Sequence, residues 1–177
     1  MRVIAGTLKG HRLKSPSWDG LRPTSDKLRE TLFNILAPRI AGARVLDGYA
    51  GTGALGIEAL SRGAADVTFI EQNRRAVALI AENLAACGVD RRYTIECGDV
   101  PAVLRRSGGA FDLVLLDPPY DLHATSDVLD AAAAHLAPDG LIVLERATRR
   151  EPEVPARLRR IRDVKSGDST LSFLVHI

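Results

Sequence analysis

The chain has 177 residues, 46% of them hydrophobic and 26% charged, and a formal net charge of +2, values typical of one folded domain with a full core. No apolar run approaches the roughly 18 residues that a transmembrane helix needs, and residues 1–13 lack a signal-peptide core, so we expect a cytoplasmic protein with no membrane partner. The two cysteines have neither a disulfide framework nor a metal-ligand spacing, and we expect no metal.

The charge is unevenly distributed along the chain. Residues 1–44 contain nine Lys or Arg and three acids, whereas residues 45–177 contain fifteen basic and nineteen acidic residues. A second basic cluster lies near the C-terminus: Arg146, Arg149, Arg150, Arg157, Arg159, Arg160, Arg162 and Lys165. Basic surfaces of this size indicate a polyanionic partner, although the second cluster is equally consistent with a solvated, arginine-rich surface.

The first 40 residues form a small basic extension in our interpretation. Residues 2–14 alternate weakly and contain Gly6 and Gly10, which predicts a short hairpin. Residues 24–38 begin with helix-capping side chains and place their leucines on one face, which predicts an amphipathic helix that ends at Pro38. We expect a boundary near residues 40–44, with a basic extension at 1–40 that suits a polyanion and a larger domain at 41–177.

From Ala43 onward, apolar strands alternate with amphipathic helices. This order predicts an α/β fold with a parallel sheet, because parallel strands are buried on both faces and need crossover helices. The predicted strands are 43–47, 65–71, 92–99, 111–117, 141–145, 158–164 and 170–177, and the predicted helices are 54–63, 74–88, 101–109 and 124–140. The last two strands lack a helix between them, so we expect an antiparallel closing pair in a seven-stranded sheet.

The first strand of this sheet runs into a glycine-rich turn, VLDGYAGTGALG. Gly51, Gly53 and Gly56 match the GxGxxG dinucleotide fingerprint, but Asp47 ends the strand and would repel a pyrophosphate. A cationic ligand would gain from the same carboxylate. We therefore expect S-adenosylmethionine rather than NAD, bound by Asp47, Gly48, Gly51 and Gly53.

Acidic residues also end the next two strands. Glu71 lies 24 positions after Asp47, where a carboxylate can accept hydrogen bonds from both ribose hydroxyls. Asp99 is expected to bind the adenine amino group, with Val100 against the ring. The alternative for Asp99 is that it only caps the following helix.

The fourth strand ends in a rigid corner, VLLDPPYD. Pro118 and Pro119 stop the strand, leaving the Asp117 carboxylate and the Pro118 carbonyl as two acceptors at a fixed spacing. These acceptors suit the two hydrogens of an exocyclic amine, and Tyr120 can stack on an extruded base. We assign catalysis to Asp117, Pro118, Pro119 and Tyr120.

Together these motifs resemble class I S-adenosylmethionine-dependent methyltransferases that act on amino groups, with a Rossmann-like fold. Three further stretches resemble the RsmD family: RVIAGTLKGHRL, LRPTSDKLRETLFNIL and AGTGALGIEALSRGA. The resemblance extends over nearly the whole chain and is weakest in residues 146–166. It implies methylation of N2 of the guanine at position 966 of 16S ribosomal RNA.

The resemblance also implies a role for the basic extension. Its basic residues are expected to bind RNA phosphates: Arg2, Lys9, His11, Arg12, Lys14, Arg22 and Lys27. Arg29 and Glu30 either position the helix against cofactor and base or form an ordinary surface pair. We expect the assembled small ribosomal subunit as partner and a monomeric enzyme.

Other functions remain open from the residues alone. The corner also suits adenine N6 of a nucleic acid or a glutamine side chain of a protein, because each presents a planar NH2 group. A non-catalytic RNA-binding assembly factor would be expected to have lost Asp117 or the glycine turn, and both are present. An NAD-dependent oxidoreductase is disfavoured by Asp47.

Overall fold

The computed structural model describes residues 1–16, 18, 26–119 and 125–177, which form five helices and seven strands. The helices are α1 (Asp26–Ile40), α2 (Ala54–Ser61), α3 (Arg74–Ala86), α4 (Val100–Arg106) and α5 (Thr125–Ala133). The strands are β1 (Arg44–Gly48), β2 (Asp66–Glu71), β3 (Tyr93–Cys97), β4 (Phe111–Leu116), β5 (Leu136–Ala147), β6 (Leu158–Ser166) and β7 (Ser169–His176).

All seven strands lie in one sheet, in the order β3-β2-β1-β4-β5-β7-β6. The pairs among β1 to β5 are parallel, and β7 is antiparallel to both β5 and β6. The predicted α/β class, the seven strands and the antiparallel closing pair are therefore confirmed. Because β1 and β4 are neighbours, the glycine turn and the DPPY corner emerge side by side at the carboxyl edge of the sheet.

Apolar side chains form a core layer on each face of the sheet. Residues from α1, α2 and α3 pack with alternate strand residues such as Leu115 and Val143 on one face. Residues from α4 and α5 pack with the intervening residues such as Leu116 and Leu144 on the other. Burial on both faces explains the continuously hydrophobic stretches 113–116 of β4 and 141–144 of β5.

Residues 1–14 pack on the α1–α3 face. Arg2 and Arg12 form an antiparallel bridge, which confirms the predicted hairpin, and the chain turns back between them. Val3 and Leu13 are almost fully buried in the same core layer as α1. The extension and the sheet thus share one hydrophobic core, although the connection from α1 to β1 lies at the boundary that the sequence suggested.

Several predicted element ends are wrong; the helix predicted at 101–109, for example, is α4 at Val100–Arg106. Helix α1 continues past Pro38 to Ile40, because proline in the last turn removes one hydrogen bond while Ile40 gains a fully buried position. The helix predicted at 124–140 ends at Ala133, and β5 begins at Leu136, where it pairs with Phe111 of β4. In the described part of the chain, no helix is long and apolar enough to cross a membrane.

Candidate active site

The glycine turn after β1 is organised by Asp47. This side chain is 1% exposed, and its Oδ2 accepts a hydrogen bond from Gly56 N at 2.8 Å. Burial, together with the negative charges of Asp117 and Glu71, raises the pKa of Asp47 to about 8, and the Gly56 N–H opposes this rise. The site therefore contains a buried carboxyl group. Its ionised form destabilises the folded protein unless a cationic partner is bound nearby.

The turn itself requires backbone conformations that most residues avoid. Tyr49, Gly51 and Gly53 have φ values of 62°, 57° and 77°, which lie in the left-handed region. Gly56 is required for a different reason, since a Cβ there would lie 2.2 Å from Cε1 of Phe69. The glycines thus fold the turn and allow α2 to pack closely on β2.

Glu71 binds the same turn from the end of β2. Its Oε2 accepts from Gly51 N at 2.9 Å, and its Oε1 accepts from Asn73 N at 2.8 Å. The side chain is 7% exposed, and each oxygen retains capacity for a second hydrogen bond. The contact of Glu71 with ribose hydroxyls remains a prediction. The acceptor capacity that its two oxygens retain is compatible with it.

Asp99 has the capping role that the sequence left as an alternative. It is the N-cap of α4, where its Oδ2 accepts from Ala102 N at 3.3 Å, and it is exposed at the sheet edge. Val100 is 1% exposed and packs in the α4–α5 core layer. Adenine contacts by this pair remain predictions.

The DPPY corner lies directly beside the glycine turn. Asp117 N donates to the carbonyl of Gly48 at 3.3 Å, which joins the two motifs. Asp117 is partly buried, Pro118 is buried and Pro119 is exposed, while Tyr120 lies outside the described residues. The carboxylates of Asp47 and Asp117 are close enough for their charges to interact.

A cavity of about 420 Å³ is lined by Pro118 and Pro119 of the corner, the start of α5, the end of β5 and residues 150–153. Its lining includes the carboxylate residue Glu145 and the basic residues Arg146 and Arg150. This volume is in the range of pockets for small molecules. Sequence analysis did not identify Glu145, although an acid at the end of a buried strand is the same signal that identified Asp47.

Six of the seven predicted RNA-binding residues are exposed in the described part of the chain. Arg2, Lys9, His11, Arg12, Lys14 and Lys27 are exposed, whereas Arg22 lies outside the described residues. The Lys14 ammonium forms an ion pair with Glu82 at 2.8 Å. The backbone of the hairpin is fixed by polar side chains of α2 and α3.

Glu58 and Ser61 of α2 bind the hairpin backbone. The Glu58 carboxylate is fully buried and accepts from Ile4 N at 2.8 Å and Ala5 N at 3.0 Å. Ser61 Oγ accepts from Leu8 N at 2.9 Å. Sequence analysis missed these contacts, because hydrogen bonds between positions more than 50 residues apart have no local pattern.

Asn83 connects the hairpin to the glycine turn. Its Oδ1 accepts from Lys14 N at 2.8 Å, and its Nδ2 donates to the carbonyls of Lys14 and Thr52, the latter at 2.9 Å. Asn83 is fully buried. A polar residue on the apolar face of α3 was a visible signal for this role.

Arg29 and Glu30 do not form the surface pair that was one alternative. Arg29 is fully buried and its Nη2 donates to the carbonyl of Arg2 at 2.6 Å and to Asp26 Oδ1 at 2.9 Å, whereas Glu30 is exposed. Burial lowers the pKa of Arg29. The described geometry gives Arg29 a structural role between α1 and the hairpin.

One member of the C-terminal basic cluster, Arg146, is buried, whereas the other seven are exposed. Arg146 is 8% exposed, and its guanidinium donates to the carbonyl of Arg150 at 2.7 Å and to Asp163 Oδ2 at 3.1 Å. Arg157 forms an ion pair with Asp130 at 3.1 Å. Within the described ranges, no three His, Cys, Asp or Glu side chains are grouped as a metal ion would require.

Comparisons with known proteins agree with this architecture. Residues 1–175 match the family model described as Conserved hypothetical protein 95. Ribosomal RNA small subunit methyltransferase D of Escherichia coli K12 is 36% identical over 170 residues, covering 94% of this chain and 85% of that protein. Its namesake in Haemophilus influenzae is 36% identical over 150 residues, covering 82% of this chain and 78% of that protein.

Solved structures show the same fold. The Escherichia coli protein yhhF is 35% identical with a TM-score of 0.89, covering 99% of this chain and 97% of that one. A hypothetical protein of Thermus thermophilus is 27% identical with a TM-score of 0.82, covering 100% of this chain and 99% of that one. The chain therefore has the class I methyltransferase fold and belongs to the RsmD family, that of ribosomal RNA small subunit methyltransferase D.

Proposed function

We propose that this chain transfers a methyl group from S-adenosylmethionine to the exocyclic N2 amine of a guanine in 16S ribosomal RNA. The observation that carries the proposal is the junction of Asp117 N with the Gly48 carbonyl, which sets a pair of amine acceptors beside the glycine turn. The similarity to ribosomal RNA small subunit methyltransferase D supports the same activity. The family resemblance suggests position 966 as the target.

The carboxyl groups at the turn fit S-adenosylmethionine better than a dinucleotide. When bound, S-adenosylmethionine supplies an electrophilic methyl group on a sulfonium. Asp47 and Glu71 bring buried carboxyl groups to the turn. A cationic ligand would stabilise the ionised form of Asp47, whose pKa burial raises to about 8, whereas a pyrophosphate would raise that pKa further. We assign the backbone of Gly48, Gly51 and Gly53 to contacts with the ligand. Its adenosine end is assigned to Glu71, Asp99 and Val100.

The corner residues orient and stabilise the amine. We assign one amine hydrogen to the Asp117 carboxylate and the other to the Pro118 carbonyl, so that the nitrogen lone pair faces the methyl group. Bound S-adenosylmethionine would supply the methyl group, with the sulfonium sulfur as leaving group, and the amine that receives the methyl group would become cationic. Asp117 stabilises this charge and accepts or relays the departing proton. Tyr120 is assigned to stacking on the extruded base.

The exposed basic surface of residues 2–14 and Lys27, together with Arg22, is assigned to ribosomal RNA phosphates. Polar contacts of this surface with α2 and α3 give it a fixed position relative to the site. We propose the assembled small subunit as substrate, because a particle that holds the RNA loop open lowers the cost of extruding a base. A monomer in the cytoplasm suffices for this proposal, since one chain carries every assigned residue.

Radiolabelled methyl transfer to small subunits from cells that lack the enzyme tests the proposal. We expect N2-methylguanosine in 16S ribosomal RNA after nucleoside analysis. Asp117→Ala should abolish transfer while leaving cofactor affinity, measured by calorimetry, within about threefold of the wild-type value, because the residue acts on the amine. Label in adenine or in protein glutamine would instead support another amine substrate.

The RNA-binding surface has its own test. Replacing Arg2, Lys9 and Arg12 together by alanine should weaken RNA binding and reduce the slope of log affinity against log salt by about 2 to 3, because each lost phosphate contact removes about 0.9 from that slope. Filter binding at several salt concentrations measures it. Equal slopes for variant and wild type would remove this surface from the proposal.

A further inference from the structure

The chain has two basic regions separated by an acidic one. Residues 1–44 contain nine basic and three acidic residues, residues 45–145 contain seven basic and fifteen acidic residues, and residues 146–168 contain eight basic and four acidic residues. The first basic region includes the residues assigned to RNA, whereas the second has no part in the proposed function. An RNA strand that approaches the acidic region is repelled unless positive side chains lie along its path.

The sheet places the two basic regions on opposite flanks of the DPPY corner. The corner follows β4, which lies between β1 and β5 in the strand order. On one flank, α2 and α3 pack on β1 to β3 and bind the hairpin through Glu58, Ser61 and Asn83. The other flank consists of β5, β7 and β6, which carry the second basic region together with the connection from β5 to β6. A strand of RNA that crosses the corner can therefore contact both regions.

The members of the second basic region differ in their partners. Three of them pair with carboxylates: Arg146, Arg157 and Arg160. Two others, Arg149 and Lys165, are exposed, and their side chains form no ion pair or hydrogen bond within the part of the chain that the structure describes. Their charges are therefore available to an anion from outside the molecule.

Arg149 and Lys165 project from one hydrogen-bonded support. Thr148, the residue before Arg149, joins its Oγ1 to Oγ1 of Thr170 at 2.9 Å, and Thr170 is the cross-strand partner of Lys165. The Thr148 N–H also donates to the carbonyl of Asp168 at 2.8 Å, in the turn between β6 and β7. Thr170 is fully buried. The backbone at both basic residues is thus held in place while their side chains remain exposed.

The same two residues lie at the edge of the sheet that holds the corner. Strands β5 and β6 are both antiparallel to β7, so β6 ends at the same edge as β4 and β5. Lys165 is level with Arg146, which lines the cavity beside Pro118 and Pro119. Because neighbouring strands are about 4.8 Å apart, three spacings put the end of β6 about 14 Å from the end of β4. RNA with one nucleotide at the corner can reach this point with a phosphate a few nucleotides away.

We propose that Arg149 and Lys165 bind RNA phosphates on the flank of the corner opposite the hairpin. The inference rests on the proposed function and extends it, because the strand that contains the target nucleotide is then held on both sides of the site. Phosphate contacts fix the register of a nucleic acid without reading its sequence. Contacts on both sides keep the strand in place while one base leaves its stack.

The salt dependence of binding to small ribosomal subunits tests this assignment. The test variant combines Arg149→Ala with Lys165→Ala. The control combines Arg105→Ala with Arg157→Ala, two exposed arginines that each pair with an acid of α5, so that the net charge changes by the same amount. Melting temperature and S-adenosylmethionine affinity should match the wild type in the test variant, because both of its residues are exposed and lie away from the glycine turn.

We expect the test variant to reduce the slope of log affinity against log salt by about 1.4, because each phosphate contact of a single strand contributes about 0.7. Wild-type affinity should then fall about sevenfold more than that of the variant between about 50 and 200 mM salt. The control should keep the wild-type slope. Adding Arg2→Ala, Lys9→Ala and Arg12→Ala to the test variant should sum the two reductions in slope, because the two groups contact different phosphates.

Hydroxyl-radical footprinting of the 16S ribosomal RNA in the same complexes locates the contacts. The wild type should protect riboses on both sides of the target nucleotide. The test variant should lose the protection on one side, and the variant of Arg2, Lys9 and Arg12 should lose it on the other side.

Three results would overturn the inference. A wild-type footprint on one side only does so without any variant. A test-variant slope equal to that of the wild type would assign Arg149 and Lys165 to a solvated surface. A lower affinity with unchanged slope and footprint would indicate a contact with a ribosomal protein instead of RNA. Absence of N2-methylguanosine despite a footprint on both sides would refute the proposed function and leave the two-sided RNA contact supported.

Discussion

Asp47→Asn should make the protein more stable and less able to bind its cofactor. The asparagine keeps an oxygen that can accept from Gly56 N, which is the hydrogen bond that Asp47 makes at 2.8 Å. It removes a charge that is 1% exposed and close to Asp117 and Glu71. Asparagine at this position therefore favours stability, whereas aspartate favours cofactor binding.

The expected magnitude follows from the pKa. Burial raises the pKa of Asp47 from 3.8 to about 8, and each pH unit corresponds to about 1.4 kcal/mol. Because the folded-state pKa is the higher one, the folded state binds the proton more tightly. Ionisation of Asp47 therefore does not lower the free energy of unfolding below about pH 3.8. Above that pH it lowers the free energy of unfolding progressively, up to about pH 8. Between pH 5 and pH 8 this destabilisation increases by about 4 kcal/mol.

Urea unfolding of wild type and variant at pH 5, 6.5 and 8 measures this cost. We expect the free energy of unfolding of Asp47→Asn, relative to wild type, to rise across the series, and calorimetry at pH 8 to show weaker S-adenosylmethionine binding. The same change at exposed Asp90 controls for the loss of one negative charge. A difference between Asp47→Asn and wild type that is independent of pH would refute the buried-charge argument.

Two further predictions concern packing around the turn. Asn83→Ala should lower the free energy of unfolding by about 2–4 kcal/mol in urea titrations, because the Lys14 N–H and the Thr52 carbonyl lose a buried hydrogen-bond partner. A decrease below about 0.5 kcal/mol would contradict the bridging role of Asn83. Gly56→Ala should prevent folding, because the new Cβ would lie 2.2 Å from the Phe69 ring. The control Gly108→Ala should melt near the wild-type temperature in circular dichroism, because a Cβ at this position meets no atom within 4 Å. Equal melting temperatures for both variants would show that α2 can move away from β2.

The sheet was predictable because its signals are local. An apolar run such as 113–116 and an amphipathic helix such as 74–86 each show their pattern within one segment. Element ends were less predictable, since Ile40 extends α1 past a proline only because a core position is available to it. The bulge between β4 and the start of β5 likewise depends on pairing between distant residues.

The site was partly predictable for a related reason. Asp47, Glu71 and Asp117 were identifiable because acids at the ends of buried strands meet at one edge of a parallel sheet. Their backbone partners were not, since the bonds from Gly51 N and Gly56 N depend on the left-handed conformations of the turn. Asn83 and Glu58 act on residues 53 to 69 positions away, which no sequence window contains.

The docking of the hairpin on α2 and α3 imposes an order on folding during synthesis. Ala5 and Lys14 bind side chains 53 and 69 residues further along the chain, so the ribosome makes the hairpin well before its docking surface. Contacts this distant form late, after the loop-closure entropy has been overcome. The basic segment therefore leaves the ribosome without a folded support and acquires its fixed shape only after α3 has emerged.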